Sequence, residues 1–160
     1  ALARPRRRQQ NQRMPEAGDA LRQAALRLLT RREYSRAELA RKLGTQAESP
    51  EQLDGVLDRL QAEHLLSDDR YARQRVVARG QRYGDQRLKQ ELRRDGVGDE
   101  AIAQALAEGD SELERCRKVW QKKFGEPPKD AEMLVKQTRF LQYRGFSTEV
   151  IRQTLRSDDA

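Results

Sequence analysis

A corner motif recurs four times along the chain and sets the architecture. In "LTRREYSRAELARKL", "LQAEHLLSDDRYARQR", "LRRDGVGDEAIAQAL" and "LQYRGFSTEVIRQTL", a Leu is followed by a turn position, Glu33, His64, Gly96 or Gly145. An apolar residue comes next (Tyr34, Leu65, Val97, Phe146), then a small capping residue (Ser35, Ser67, Gly98, Ser147). A further apolar position follows at Leu39, Tyr71, Ile102 and Ile151. Each copy reads as a helix that ends, an apolar residue that pins the corner, and a capped helix that begins. Gly96 and Gly145 suit the left-handed helix-end position. A corner repeated at this interval predicts tandem helical units of about fifty residues, stacked end to end and each too small to fold well alone.

Apolar spacing between the corners is three and four throughout, with no sustained alternation, so the chain is expected to be all-α. Helices are predicted at about 17–32, 35–43 (Ser35 and Glu38 forming a capping box), from Ser49-Pro50 onward, and at 67–81, 84–95, 98–107, 110–124, 129–144 and 147–156. That makes nine helices in three three-helix repeats, at 17–66, 67–108 and 109–160, behind a disordered basic tail at 1–16. Hydrophobic residues are 36% and charged residues 37%, at a mean hydropathy of −1.04. This thin apolar supply favours several small cores over one large one.

Charge narrows the choice of partners. The formal net charge is +7, and five arginines of residues 1–13 (Arg4, Arg6, Arg7, Arg8, Arg13) account for most of it. Within the rest the charge is polarised. Residues 70–94 hold Arg70, Arg73, Arg75, Arg79, Arg82, Arg87, Lys89, Arg93 and Arg94 against Asp85 and Glu91, a local +7. Residues 95–114 hold seven acids and no Arg or Lys. A solvated helix face would also be charged, but an uncompensated +7 repels itself, which favours an acidic or polyanionic partner. The nine cations are the candidate binding residues. Arg75, Arg79 and Arg82 are spaced to share one helix face, while Tyr71, Ala72, Val76, Leu88 and Leu92 turn inward. Basic groups alone do not separate nucleic acid from acidic protein. Only Tyr83 and Tyr143 stand out as exposed rings for stacking single-stranded bases.

Catalytic chemistry finds little support. His64 sits at a turn position, and Cys116 shares a stripe with Leu113, Trp120 and Phe124, so both read as structural. No Cys/His cluster suits zinc, and no P-loop or dinucleotide fingerprint is present, so neither metal nor cofactor is expected. Asp68 and Asp69 invite a nuclease reading but lack further converging acids. They follow Ser67 at a helix start, where carboxylates stabilise the first turn. With a single cysteine no intramolecular disulfide forms, and no apolar run approaches membrane-spanning length. A cytoplasmic monomer is expected.

Four segments carry a resemblance that is specific and in order over about residues 20–157. "REYSRAELARKL", "LLSDDRYARQRVVARG", "YGDQRLKQELRRDGV" and "FLQYRGFSTEVIRQTL" together resemble the RecX family of recombination regulators. The resemblance implies three tandem three-helix repeats forming an elongated, curved rod. It implies a non-enzymatic modulator, mostly an inhibitor, of the RecA recombinase, acting in DNA repair, recombination and the SOS response. Such proteins lie in the groove of the RecA–single-stranded DNA filament, and no catalytic residues carry over. The alternative from charge alone is a RecA-independent nucleic-acid-binding helical protein.

Overall fold

The computed structural model describes residues 17–156; the basic tail and its expected disorder lie outside these residues. Among the described residues there are nine α-helices and no strands. They are α1 (Ala17–Arg31), α2 (Arg36–Leu43), α3 (Pro50–Ala62), α4 (Asp68–Arg79), α5 (Asp85–Arg94), α6 (Asp99–Ala107), α7 (Glu112–Lys123), α8 (Ala131–Tyr143) and α9 (Thr148–Leu155). Helix starts are set by side-chain caps. Ser35, Ser49, Ser67, Ser111, Asp130 and Ser147 each accept a hydrogen bond from the backbone N–H three residues on. Each thereby satisfies an N–H that the helix cannot.

The helices pack as α1–α2–α3, α4–α5–α6 and α7–α8–α9, each around its own apolar cluster. The first cluster centres on Leu21, Leu39, Leu43, Leu57 and Leu60, the second on Tyr71, Val76, Leu92 and Ile102, and the third on Cys116, Leu141, Phe146 and Ile151. Three of the four corners are one device. His64 (φ 59°), Gly96 (φ 79°) and Gly145 (φ 89°) are left-handed, and the N–H of Leu65, Val97 and Phe146 reaches back to the carbonyl of Leu60, Leu92 and Leu141. Glu33 differs: α1 ends at Arg31, and the chain enters α2 without a left-handed residue, over buried Tyr34. The capping box is also half formed. Ser35 accepts from the Glu38 N–H, but the Glu38 carboxylate is held by Tyr71 and Arg32 instead.

Between units the same joint occurs twice. At the first, the Asp68 carboxylate on the opening turn of α4 accepts from the Arg36 N–H of α2 at 2.8 Å. The Ser35 hydroxyl donates to the Asp95 carbonyl at 2.6 Å. At the second, the Glu112 carboxylate opening α7 accepts from the Asp85 N–H of α5 at 2.6 Å, and Gly84 N–H donates to the Arg144 carbonyl at 2.8 Å. In each case a carboxylate of the following unit caps the second helix of the preceding one. Asp68, expected to stabilise its own helix, caps its neighbour's.

One turn after each bridging acid a buried polar side chain fills the joint. The Tyr71 hydroxyl lies 2.6 Å from both the Glu38 and the Asp95 carboxylate. Burial first, and then these two acceptors, raise its pKa far above the ordinary phenol range and keep the proton in place. Arg115, 7% exposed, donates to the carbonyls of Gly80, Tyr83 and Asp110 and pairs with Asp85. Burial, with Glu112 nearby, still leaves the Asp85 carboxyl raised.

Backbones meet closely at the second joint. A Cβ at Gly84 would lie 2.3 Å from the Gly145 carbonyl oxygen, whereas one at Gly55, inside α3, meets nothing within 4 Å. Gly84→Ala should therefore lower the unfolding free energy by about 1–3 kcal/mol through overpacking. Gly55→Ala should raise it by about 1 kcal/mol through helix propensity. Urea denaturation of both variants checks the contrast; equal effects would contradict the close approach.

Candidate functional site

The fold sorts the nine candidate cations of residues 70–94 by what they touch. Arg70 pairs with Glu33 across the first joint at 2.8 Å. Arg79 donates twice to Glu91 of α5, at 2.6 and 2.7 Å, and Arg87 stands 3.6 Å from the same carboxylate. Arg79, Arg87 and Arg144 all lie over the Tyr83 ring, at 4.7, 4.1 and 5.4 Å. Tyr83 is thus covered by guanidinium groups rather than open for stacking, while Tyr143 is 82% exposed. Arg75 lies over Tyr71 at 6.0 Å. At the surface Arg73 approaches Glu108 at 3.8 Å and Arg93 pairs with Asp99 at 3.0 Å.

Three of the nine, Arg82, Lys89 and Arg94, are exposed and make no ion pair among the described residues. Arg75, Arg79 and Arg82 have different surroundings: Arg75 lies over Tyr71, Arg79 grips Glu91, and Arg82 lines a groove. α4 ends at Arg79, and the chain turns, with the N–H groups of Arg82 and Tyr83 bonded to the Arg79 carbonyl.

Arg82 instead opens into a groove of about 1000 Å³ between the second and third units. Arg73, Val76 and Val77 of α4 line one wall, Lys118, Val119, Lys122 and Lys123 of α7 the other, and Phe140 and Arg144 one end. Glu108 and Asp110 stand on the α6–α7 turn, where Asp110 pairs with Lys118 at 2.8 Å and is held below the ordinary aspartate range by that bond. Val77 is 67% exposed. The groove is lined by cations together with aliphatic side chains, of which Val77 is the most exposed.

The lysines of α7 were not among the sequence candidates. Their signal was present in "RCRKVWQKK", but the acid run at 95–114 made the basic stretch look finished at Arg94. Chain order conceals that residues of α7 line the same groove as residues of α4, on either side of the Arg115 joint.

No group of three or more His, Cys, Asp or Glu side chains among the described residues could hold a metal ion. Asp68 is engaged with the Arg36 N–H, and His64 is an exposed corner residue. Cys116 is buried, and burial pushes its thiol up to about 11, which suppresses the nucleophilic thiolate. No described helix is long and apolar enough to cross a membrane.

Comparison with known proteins follows the three units. Family models described as the first, second and third three-helix domains of RecX match residues 22–60, 67–106 and 110–155. A "Regulatory protein RecX" of Chromobacterium violaceum is 45% identical over 142 residues, 89% of this chain and 93% of that protein. Its namesake in Leptothrix cholodnii is 46% identical over 141 residues, 88% and 90% of the two chains. Among solved structures, that of RecX from Lactobacillus salivarius superposes with a TM-score of 0.76 at 19% identity, covering 89% of this chain and 96% of that one.

The Arg79–Glu91 pair makes a stability prediction with a defined pH sign. The hydrogen bonds from Arg79 hold the Glu91 carboxyl below the ordinary glutamate range. Its contribution is therefore present above the unfolded-state value and lost as pH falls through the lower folded-state value. Glu91→Gln should be less stable than the parent by about 1–3 kcal/mol at neutral pH. The difference should shrink as the solution is acidified below the glutamate range. Urea midpoints at several pH values test this; a constant difference would rule the linkage out.

Proposed function

The chain belongs to the RecX family, and on that footing we propose that it regulates the RecA recombinase by binding the RecA–single-stranded DNA filament. In this reading it mainly inhibits, reducing ATPase and strand exchange in recombination and repair. The observation that carries it is the ordered match of all three units to proteins called regulatory protein RecX, at over 40% identity along most of both chains. The architecture supports it. Units joined in sequence give an extended surface suited to a repeating filament rather than a single small site.

The contact falls on the exposed cations of the second unit and the adjoining groove. Arg82, Lys89 and Arg94 lead, because they are exposed and form no ion pair among the described residues; Arg73 and Arg93 contribute from paired surface positions. Arg70 and Arg79 serve the fold first. Reversing Arg79 would break the Glu91 pair and confuse binding with stability, so it is left out of the test.

The test is RecA ATPase on single-stranded DNA with substoichiometric amounts of this chain. Wild type should lower the rate, and Lys89→Glu with Arg94→Glu should need about tenfold more protein for the same inhibition at unchanged helicity. The RecA-independent alternative, favoured only by the local charge, makes the opposite forecast. It expects no effect on RecA, together with tight binding to bare oligonucleotide that weakens steeply with salt.

A further inference from the structure

Positive charge admits any polyanion, so the uncharged lining of the groove between the second and third units decides what it can hold. Val77 is 67% exposed in the last turn of α4, and Val76, Val119 and Ala105 continue the aliphatic lining. The one ring in the groove, Phe140, is packed edge-on against Phe124 at 5.4 Å, with Lys123 at 5.4 Å and Arg144 at 5.1 Å from its centre. That leaves no open ring face on which a base would stack. Glu108 and Asp110 stand on the groove wall, and a phosphodiester strand, charged at every nucleotide, would run past both. A polypeptide places its charges singly and can bring an apolar side chain between them.

We propose that this groove binds an acidic protein segment carrying one large apolar side chain. The apolar side chain seats on Val77 and Val119, and flanking carboxylates meet Arg82 and Lys122, neither of which is paired among the described residues. An exposed aliphatic anchor flanked by unpaired cations suits a peptide that brings an apolar side chain between carboxylates. The proposal rests on the regulatory reading only for the origin of the segment, a protein component of the filament.

The experiment uses the full chain with labelled valine methyls. It is titrated with short acidic peptides bearing a central Leu or Phe, with the same peptides bearing Ala there, and with oligo-dT. The Leu and Phe peptides should shift the Val77 and Val119 methyls, and the Ala peptides should bind about tenfold more weakly. Val77→Asp should abolish the Val119 shift, and Arg82→Glu with Lys122→Glu should abolish both shifts, at unchanged helicity, since these side chains are exposed. Oligo-dT shifting the same methyls while the peptides do not would overturn the proposal in favour of a phosphate groove. No shift from either would overturn it outright. The RecA ATPase assay fails or succeeds separately. Peptide binding without ATPase inhibition upholds the groove and removes the filament as its source, and inhibition without methyl shifts does the reverse.

Discussion

A carboxylate on the first turn of one helix holds the first N–H of another, and the assembly of the three units turns on this bond. Asp68 provides it to α2 and Glu112 to α5. A helix N-terminus presents several unsatisfied N–H groups and the positive end of its dipole, so an acid there gains both a hydrogen bond and favourable charge. Each unit has only a small core, with four buried residues in the third cluster. Such units gain from neighbours, and the joint fixes how neighbours meet. Glu112 extends the bond to the Ser147 N–H at 3.3 Å, so one side chain touches the starts of two helices as well as opening its own.

The local features were readable in the sequence because each depends on residues a few positions apart. Apolar spacing, serine caps and the left-handed glycines at 96 and 145 all act within one or two turns of helix. The joints were not readable, because their partners lie 32 and 27 residues apart and carry no periodic signal. Asp68 looked like an acid for its own first turn, which its position satisfies equally well. The corner repeat was partly misleading for a related reason. Corners 64, 96 and 145 share a helix-end geometry, but His64 links the first unit to the second while Gly96 and Gly145 lie inside units. Similar local chemistry therefore does not mark equivalent places in the repeat.

Charge was legible in amount and not in disposition. A count of residues 70–94 treats Arg79 and Arg94 alike, yet one grips Glu91 through two hydrogen bonds and the other is free in solvent. Sorting them needs the neighbouring helix, since Glu91 sits on α5 and completes a cluster with Arg87 and Tyr83. The acids at 95–114 are likewise divided. Asp95 and Glu112 are built into joints, while Glu108 and Asp110 temper the basic groove. The polarity seen along the chain becomes, in space, a mixed-charge rim.

The second joint and the groove are consequences of the same side chain. Arg115 donates to the carbonyls of Gly80 and Tyr83, the two ends of the turn that carries Arg82. Tyr71, in the corresponding place at the first joint, has a single hydroxyl and reaches two carboxylates; it clamps no turn. Substituting a guanidinium for a phenol thus converts a connection between units into a frame that fixes a surface loop. Arg115 thereby ties the start of α7 to the turn after α4, and Arg82, Val77 and Lys122 line the groove between the two units. A cation held on a fixed turn loses less freedom on meeting a partner than one on a mobile loop, and binding is stronger by that difference. The groove is basic because of its exposed residues, but it is pre-formed because of a buried one.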